Sequence, residues 1–526
     1  MSKTCEVSDA MDVIPDGATV AICGTGVVLE PDLLLSSLES RFLASSGPTG
    51  LRVVALMCTG DQTGRGGLNH IAHSGMVKSV VASSMYAHRH PGMTEMLRSG
   101  EIEGYIVGMG SLVQMLTATA SGKPGVLTQA GLGTFLDPRI EGGRMNAKST
   151  EPPVRLLEID GNEYLFYEAL PIDVALIRAT TADEDGYLSF EEEPNTLGVL
   201  EIAAATKASG GQVIVQVKNL VSAGSLDPRR VGVPGTLVDR IVVHPEQTQL
   251  GPTMHDAARG WNPYLVGALR MAPGHGLTVA DPKDRIILCR AADELAPGAV
   301  VNVGAGLPTK LPMMLDELGS LDEVTITNEH GVFGGLLGTS LGGSFVPGVN
   351  PKAIMDSVFQ FNYYEGGGLD IAFLGAGQVD SLGNVNVSKF ANHWNGPGGL
   401  CSITHSTKKI VYCTSLTSGG LSVRVVDGRL EVVREGAHKT FVPEVEQVTF
   451  NAKLAHSRGQ TVVYVTERCV FELDHQGLLV TELAPGVDVG LHIQPHVGFP
   501  VRVSADVKTM SFGLHQEHPS LAEVTL

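Results

Sequence analysis

Short apolar runs rich in β-branched residues alternate with stretches of helical period through the first half of this chain. Residues 18–23 precede a helical-period segment at 32–42, residues 51–57 and 76–82 are further apolar runs, and 102–107 precedes a helical segment at 112–120. Alternation of this kind predicts βα units around a mainly parallel sheet, an α/β fold. After a Pro/Gly-rich passage at 263–276 the pattern starts again, with a helix over 285–295, a turn at Pro297-Gly298, a strand at 300–303 and a helix near 311–318. The opening motif recurs too: Asp16-Gly17-Ala18-Thr-Val20-Ala-Ile22-Cys-Gly24-Thr-Gly26 resembles Pro297-Gly298-Ala299-Val-Val301-Asn-Val303-Gly304-Ala-Gly306. Two tandem related α/β domains follow, 1–275 and 276–526. Beyond residue 371 the texture shifts to hairpins, with Asp427-Gly428 between 421–426 and 430–433 and Gly477 between 470–473 and 478–483, which predicts a β-rich C-terminal part.

A length of 526 residues accommodates two such units. The 64 glycines are scattered rather than set in a repeat, as many tight βα turns require. The net charge of −19 repels phosphates, so neither nucleic acid nor an anionic membrane is an expected partner, and an anionic ligand needs a local pocket. Seven cysteines, odd in number and without a CxxC pair, signal neither a disulfide framework nor a zinc site, and the 17 histidines include no HExxH. The N-terminus has no apolar h-region and no stretch approaches the ~18 apolar residues of a spanning helix. The expectation is a soluble, cytoplasmic protein without metal or prosthetic group.

The most informative local feature is Val324-Thr-Ile-Thr-Asn-Glu329-His-Gly331-Val-Phe-Gly334-Gly335. An apolar strand reaches a carboxylate and breaks at once into glycines, which presents the carboxylate with little slack and leaves room for a ligand backbone. Gly304-Ala-Gly306-Leu-Pro308 follows the 300–303 strand but lacks the third glycine of GxGxxG, so a nicotinamide site is not indicated. Gly338-Thr-Ser340-Leu-Gly342 matches GxSxG, yet its glycine- and proline-rich flanks leave no helix behind the serine, as a nucleophile elbow needs. His88-Arg89-His90 is a basic loop whose Arg89 could pair with a substrate carboxylate if it lines a pocket. A strand at Phe373 runs into Gly375-Ala-Gly377-Gln378, then Asn386, Lys389 and the glycine pair Gly398-Gly399, whose main-chain donors could face an oxyanion.

Taken together, Glu329-His-Gly331, Gly304-Ala-Gly306-Leu-Pro308, Phe373-Leu-Gly-Ala-Gly-Gln378-Val-Asp380, Gly383-Asn-Val-Asn386-Val-Ser388-Lys389-Phe390 and Gly396-Pro-Gly-Gly399 resemble the class I coenzyme A transferases, closest to the fused propionate/acetate CoA-transferase type. Three other stretches carry the same resemblance: 131–143, 464–471 and 484–488. The resemblance implies an active site at the interface of the two domains. Glu329 would be the nucleophile that becomes a glutamyl-CoA thioester, with Gly398 and Gly399 supplying oxyanion donors. Gly304, Gly306, Phe373, Gly375, Gly377, Gln378, Asn386 and Lys389 would be candidates for CoA and substrate contacts. It further implies coenzyme A and acyl-CoA as substrates, a carboxylate as the second substrate, and a homo-oligomer, a tetramer. Two departures lie on the acyl side: Met109 stands where the family tends to have a glutamine, and Ser83-Ser84-Met85-Tyr86 where it tends to have Gly-Gly-His-Trp. Met109 and Arg89 are therefore candidates for a changed acyl pocket. With a reference pKa near ~4.3, Glu329 should be ionised at neutral pH and need no general base. An acyl-CoA hydrolase on the same scaffold and a non-catalytic acyl-CoA-binding protein remain alternatives.

Overall fold

The computed structural model describes residues 2–60, 64–87, 89–251, 260–272, 278–336, 348–390 and 393–512. Two large sheets organise them. In the first, Thr19–Ile22 lies between Leu51–Ala55 and Val174–Asp183, all parallel, and the order continues through Val77–Ala82 to Glu103–Ile106. Every residue of Val174–Asp183 is buried, as befits a central parallel strand covered on both faces. In the second sheet, Val300–Val303 lies between Thr325–Thr327 and Ile371–Leu374, with Lys409–Cys413 and Thr461–Val465 continuing in parallel.

The predicted βα alternation is present, with shifted edges. The helix expected from 285 begins at Pro282, because Asp281 accepts a hydrogen bond from the Lys283 N–H and proline suits the first helical position. The helix expected from 112 begins at Met109. The C-terminal hairpins also form: Ser422–Val426 pairs with Arg429–Arg434 across Asp427 and Gly428, both at positive φ. In the second hairpin, His475 and Gln476 make the turn and Gly477 starts the return strand, since a Cβ there would lie 2.2 Å from the Ser381 carbonyl oxygen. The boundary near residue 275 falls outside the described residues.

The halves meet along a seam of polar contacts. Asp356 caps its own helix, Ser357–Glu365, through the Val358 N–H at 2.8 Å, and its other carboxylate oxygen accepts from Thr196 Oγ1 at 3.0 Å and the Gly198 N–H at 3.1 Å. Beside it, burial and the Asp356 charge push the Glu201 carboxyl up to about 7. Gln114 donates to Asn362 and Glu365 across the same seam. No helix among the described residues is long and apolar enough to cross a membrane.

Candidate active site

Three parallel strands, Val300–Val303, Thr325–Thr327 and Ile371–Leu374, end at one edge of the second sheet. The chain leaves the central strand for a neighbour on one side and later for a neighbour on the other. Crevices at the carboxyl ends of strands arise at such switch points. Gly304 and Gly306 follow the central strand, Glu329 follows the second, and Gly375 and Gly377 follow the third. Sequence neighbours of three separate strands thus converge.

Glu329 stands at the tip of a tight reversal rather than at the start of an open glycine run. Thr325–Thr327 turns back antiparallel into Val332–Phe333; the Asn328 side chain accepts from the His330 N–H at 3.0 Å and its carbonyl from the Gly331 N–H at 3.2 Å. The glycines serve the protein's own packing. Gly331 has φ +88° and a Cβ there would lie 1.9 Å from the Met355 carbonyl oxygen, while Met355 N–H donates to the Gly331 carbonyl at 2.8 Å. Gly334 faces Lys352, and Gly335 the backbone of Val349 and Asn350. Beneath the turn, Thr327 Oγ1 donates to the Val301 carbonyl at 2.9 Å, Tyr364 donates to Thr327 at 2.8 Å and Asn302 donates to Tyr364 at 3.1 Å. This buried chain of bonds fixes the base from which Glu329 projects.

The opposite wall is the 395–399 loop, stitched to the first half. Met85 N–H donates to the Asn395 carbonyl at 2.8 Å, Gly398 N–H to the Ser83 carbonyl at 3.1 Å, and Met109 N–H to the Gly398 carbonyl at 2.9 Å. Gly399 N–H donates to Glu329 Oε2 at 2.9 Å. The two glycines therefore differ from the paired role expected of them: the Gly398 amide is engaged by Ser83, and the Gly399 amide faces the carboxylate. A Cβ on Gly399 would lie 2.1 Å from Glu329 Oε2, so the close approach requires glycine.

A cavity of about 310 Å³ opens between these walls. Glu329, Gly304, Gly306, Gly375, Gly377 and Gly398 line it with Tyr86, Asn395 and the apolar side chains of Leu374, Val387, Phe390, Leu400 and Ile403. Other sequence candidates lie behind the lining. Phe373 is buried in its strand, and its carbonyl accepts from the Gly304 N–H at 2.8 Å, shaping the turn. Asn386 is buried and donates to Gln378 and to the Lys389 carbonyl, each at 2.8 Å, so Asn386 and Gln378 brace the turn that delivers Val387 and Phe390. The Lys389 ammonium sits 4.9 Å from the Trp394 ring centroid instead of in the cavity. Met109 is buried in the first half's core, where its amide holds the Gly398 loop. Arg89 stands behind Tyr86, its guanidinium carbon 5.6 Å from that ring's centroid. Ser340 and His88 lie outside the described residues. Tyr86 showed in the sequence only as a departure from a family pattern, and Asn395 gave no signal there.

Enclosure changes the acid–base picture drawn from reference values. Burial pushes the Glu329 carboxyl up to about 7, with the Gly399 N–H opposing the rise, so near neutrality the resting group is about half ionised rather than fully so. Buried His330 is pushed down to about 3, with the Arg89 charge adding to the effect, and is neutral. The Tyr86 phenol is pushed up to about 12, chiefly by burial, with the Glu329 charge adding and Arg89 opposing. The cavity thus presents one carboxylate, an amide donor already on one of its oxygens, and a protonated phenol. Such a set suits nucleophilic attack by a carboxylate on an acyl group, with stabilisation of the resulting oxyanion.

The coenzyme A transferase family model matches residues 5–244. The chain is 37% identical over 503 residues to acetate CoA-transferase YdiF of Escherichia coli K12, covering 95% of this chain and 93% of that protein. It is also 37% identical over 528 residues to caffeate CoA-transferase of Acetobacterium woodii, covering 98% of each. The solved structure of the acyl-CoA transferase YdiF from E. coli O157:H7, a thioester complex with CoA, matches at a TM-score of 0.90 and 35% identity over 99% of this chain and 97% of that one.

Proposed function

Since this chain belongs to the coenzyme A transferase family and is an enzyme that moves CoA between carboxylic acids, we propose that it works by a ping-pong reaction through a thioester on Glu329. The ionised carboxylate attacks the acyl-CoA carbonyl, giving an acyl-glutamyl anhydride and the CoA thiolate. The thiolate attacks the glutamyl carbonyl, the anhydride C–O bond breaks, and the acid leaves as its carboxylate with CoA bonded to Glu329. A second carboxylate attacks that thioester and reverses the sequence, leaving as the new acyl-CoA.

The observation that carries this reading is the Gly399 N–H, 2.9 Å from Glu329 Oε2 at the head of the cavity. When a nucleophile adds to the glutamyl carbonyl, an oxygen of this same carboxyl group becomes the oxyanion. The donor is therefore aligned before reaction, and loss of one such donor typically costs ~3 kcal/mol of transition-state stabilisation. The anhydrides are high in energy, so binding energy from the remote part of CoA is needed to hold the thioester against Glu329. Gly304, Gly306, Gly375 and Gly377 bring two backbone turns to the cavity for that purpose. The same reading places the enzyme in the cytoplasm as a homo-oligomer, with a domain division near residue 275.

Mass spectrometry of enzyme mixed with acyl-CoA tests it. A CoA adduct on Glu329 is expected, with one equivalent of acid released and then no more. Continuous release of acid would mark a hydrolase, and tight binding without an adduct a non-catalytic binder. Glu329→Ala abolishes transfer, and Glu329→Asp, one methylene shorter, leaves residual activity.

A further inference from the structure

The acid that receives CoA is an anion, and it must reach the glutamyl carbonyl through the cavity just described. Leu374, Val387, Phe390, Leu400 and Ile403 supply much of the lining, and among the described residues no lysine, arginine or histidine lines the cavity. A carboxylate taken from water into such surroundings is costly unless a donor meets it. Apart from Glu329, Tyr86 and Asn395 bring the polar side chains among the lining residues.

Tyr86 differs from Asn395 in having a cation held behind it. The Arg89 guanidinium carbon lies 5.6 Å from the ring centroid. Asn69 fixes that loop by donating to the Arg89 carbonyl at 2.7 Å, and the guanidinium packs where a Cβ on Gly26 would lie 2.5 Å from Nη1. Tyr86 itself comes from the first half, next to Met85, whose amide holds the 395–399 loop.

We propose that the Tyr86 hydroxyl is the group that receives the carboxylate of the acid substrate, donating to one of its oxygens while the other attacks the Glu329 thioester, with Arg89 supplying positive potential from behind the ring. This rests on the thioester reading above. A phenol suits the task better than a bare cation in the cavity would. An arginine or lysine there would form an ion pair with Glu329, hold it in the resting state and oppose its attack, whereas a neutral O–H can release one carboxylate and take another.

The test is steady-state kinetics of Tyr86→Phe with unbranched monocarboxylates of increasing chain length as acceptors, alongside adduct formation from acyl-CoA. Phenylalanine keeps the ring and removes the donor. The expected result is a rise of about tenfold to a hundredfold in the KM for the acid, as loss of a hydrogen bond to a charged group gives. The KM for acyl-CoA should change little and the Glu329 adduct should still form. Arg89→Gln, which leaves the phenol in place, should raise the acid KM by a smaller factor. An acid KM within twofold of wild type in Tyr86→Phe would overturn the proposal, as would a larger effect of Arg89→Gln than of Tyr86→Phe. Absence of a Glu329 adduct in the wild-type enzyme would instead sink the thioester reading.

Discussion

Lowering the pH from 8 to 6 should reduce kcat/KM for acyl-CoA about tenfold. The reason lies in the free enzyme, where burial raises the Glu329 carboxyl to about 7. The nucleophile is the ionised form, about nine-tenths populated one unit above that value and about one-tenth one unit below it. A carboxyl at its ordinary value would remain almost fully ionised across the same interval, and the rate would not move. The assay is the pH profile of kcat/KM, measured also with an acyl-pantetheine substrate that has no nucleotide phosphates, so that any slope common to both belongs to the protein. Stability should run the other way. An acid whose folded-state pKa exceeds its unfolded value near ~4.3 contributes stability through its bound proton, fully present below the unfolded value and lost as the pH rises through about 7. Glu329→Gln should therefore gain on wild type as the pH rises, by at most ~4 kcal/mol and less where water reaches the carboxylate from the cavity. A profile of kcat/KM that stays flat to pH 5, with wild type and Glu329→Gln melting in parallel, would refute the enclosed-carboxylate account.

Two further substitutions probe the frame around the site. Gly399→Ala places a methyl group 2.1 Å from Glu329 Oε2 and 3.0 Å from the Phe361 ring, so the carboxylate must move off its donor. Single-turnover rates should fall by about a hundredfold or more with the fold retained, and an unchanged rate would remove the amide from the mechanism. Asp356→Ala deletes a helix cap together with the acceptor shared by Thr196 and Gly198. A loss of ~2 kcal/mol in stability is expected, and melting at the wild-type temperature would show that the seam does not depend on this residue.

Much of the fold was legible because strands and helices here carry their periods in short segments. The strand at 300–303 matches Val300–Val303, and the Asp427-Gly428 turn joins the hairpin that its chemistry requires. Glu329 was legible as well, from an apolar run ending in a carboxylate. The use of its glycines was not: Gly331, Gly334 and Gly335 clear space for Met355, Lys352 and the 349–350 backbone, neighbours distant enough in sequence that no local pattern announces them. Lys389, Met109 and Arg89 show the same limit, since a residue's type and motif do not say which way its side chain points.

The sequence alone determined the α/β alternation, the tandem repeat of a strand followed by a GxG turn, and a carboxylate delivered at a strand end, because each depends on backbone preferences and spacing within a few residues. Tertiary structure decided which amide faces Glu329, that Tyr86 rather than Arg89 reaches the cavity, and that the carboxyl titrates near 7. These follow from contacts between segments some seventy to two hundred and forty residues apart and from the exclusion of water they produce, quantities that exist only once both halves have closed around the site.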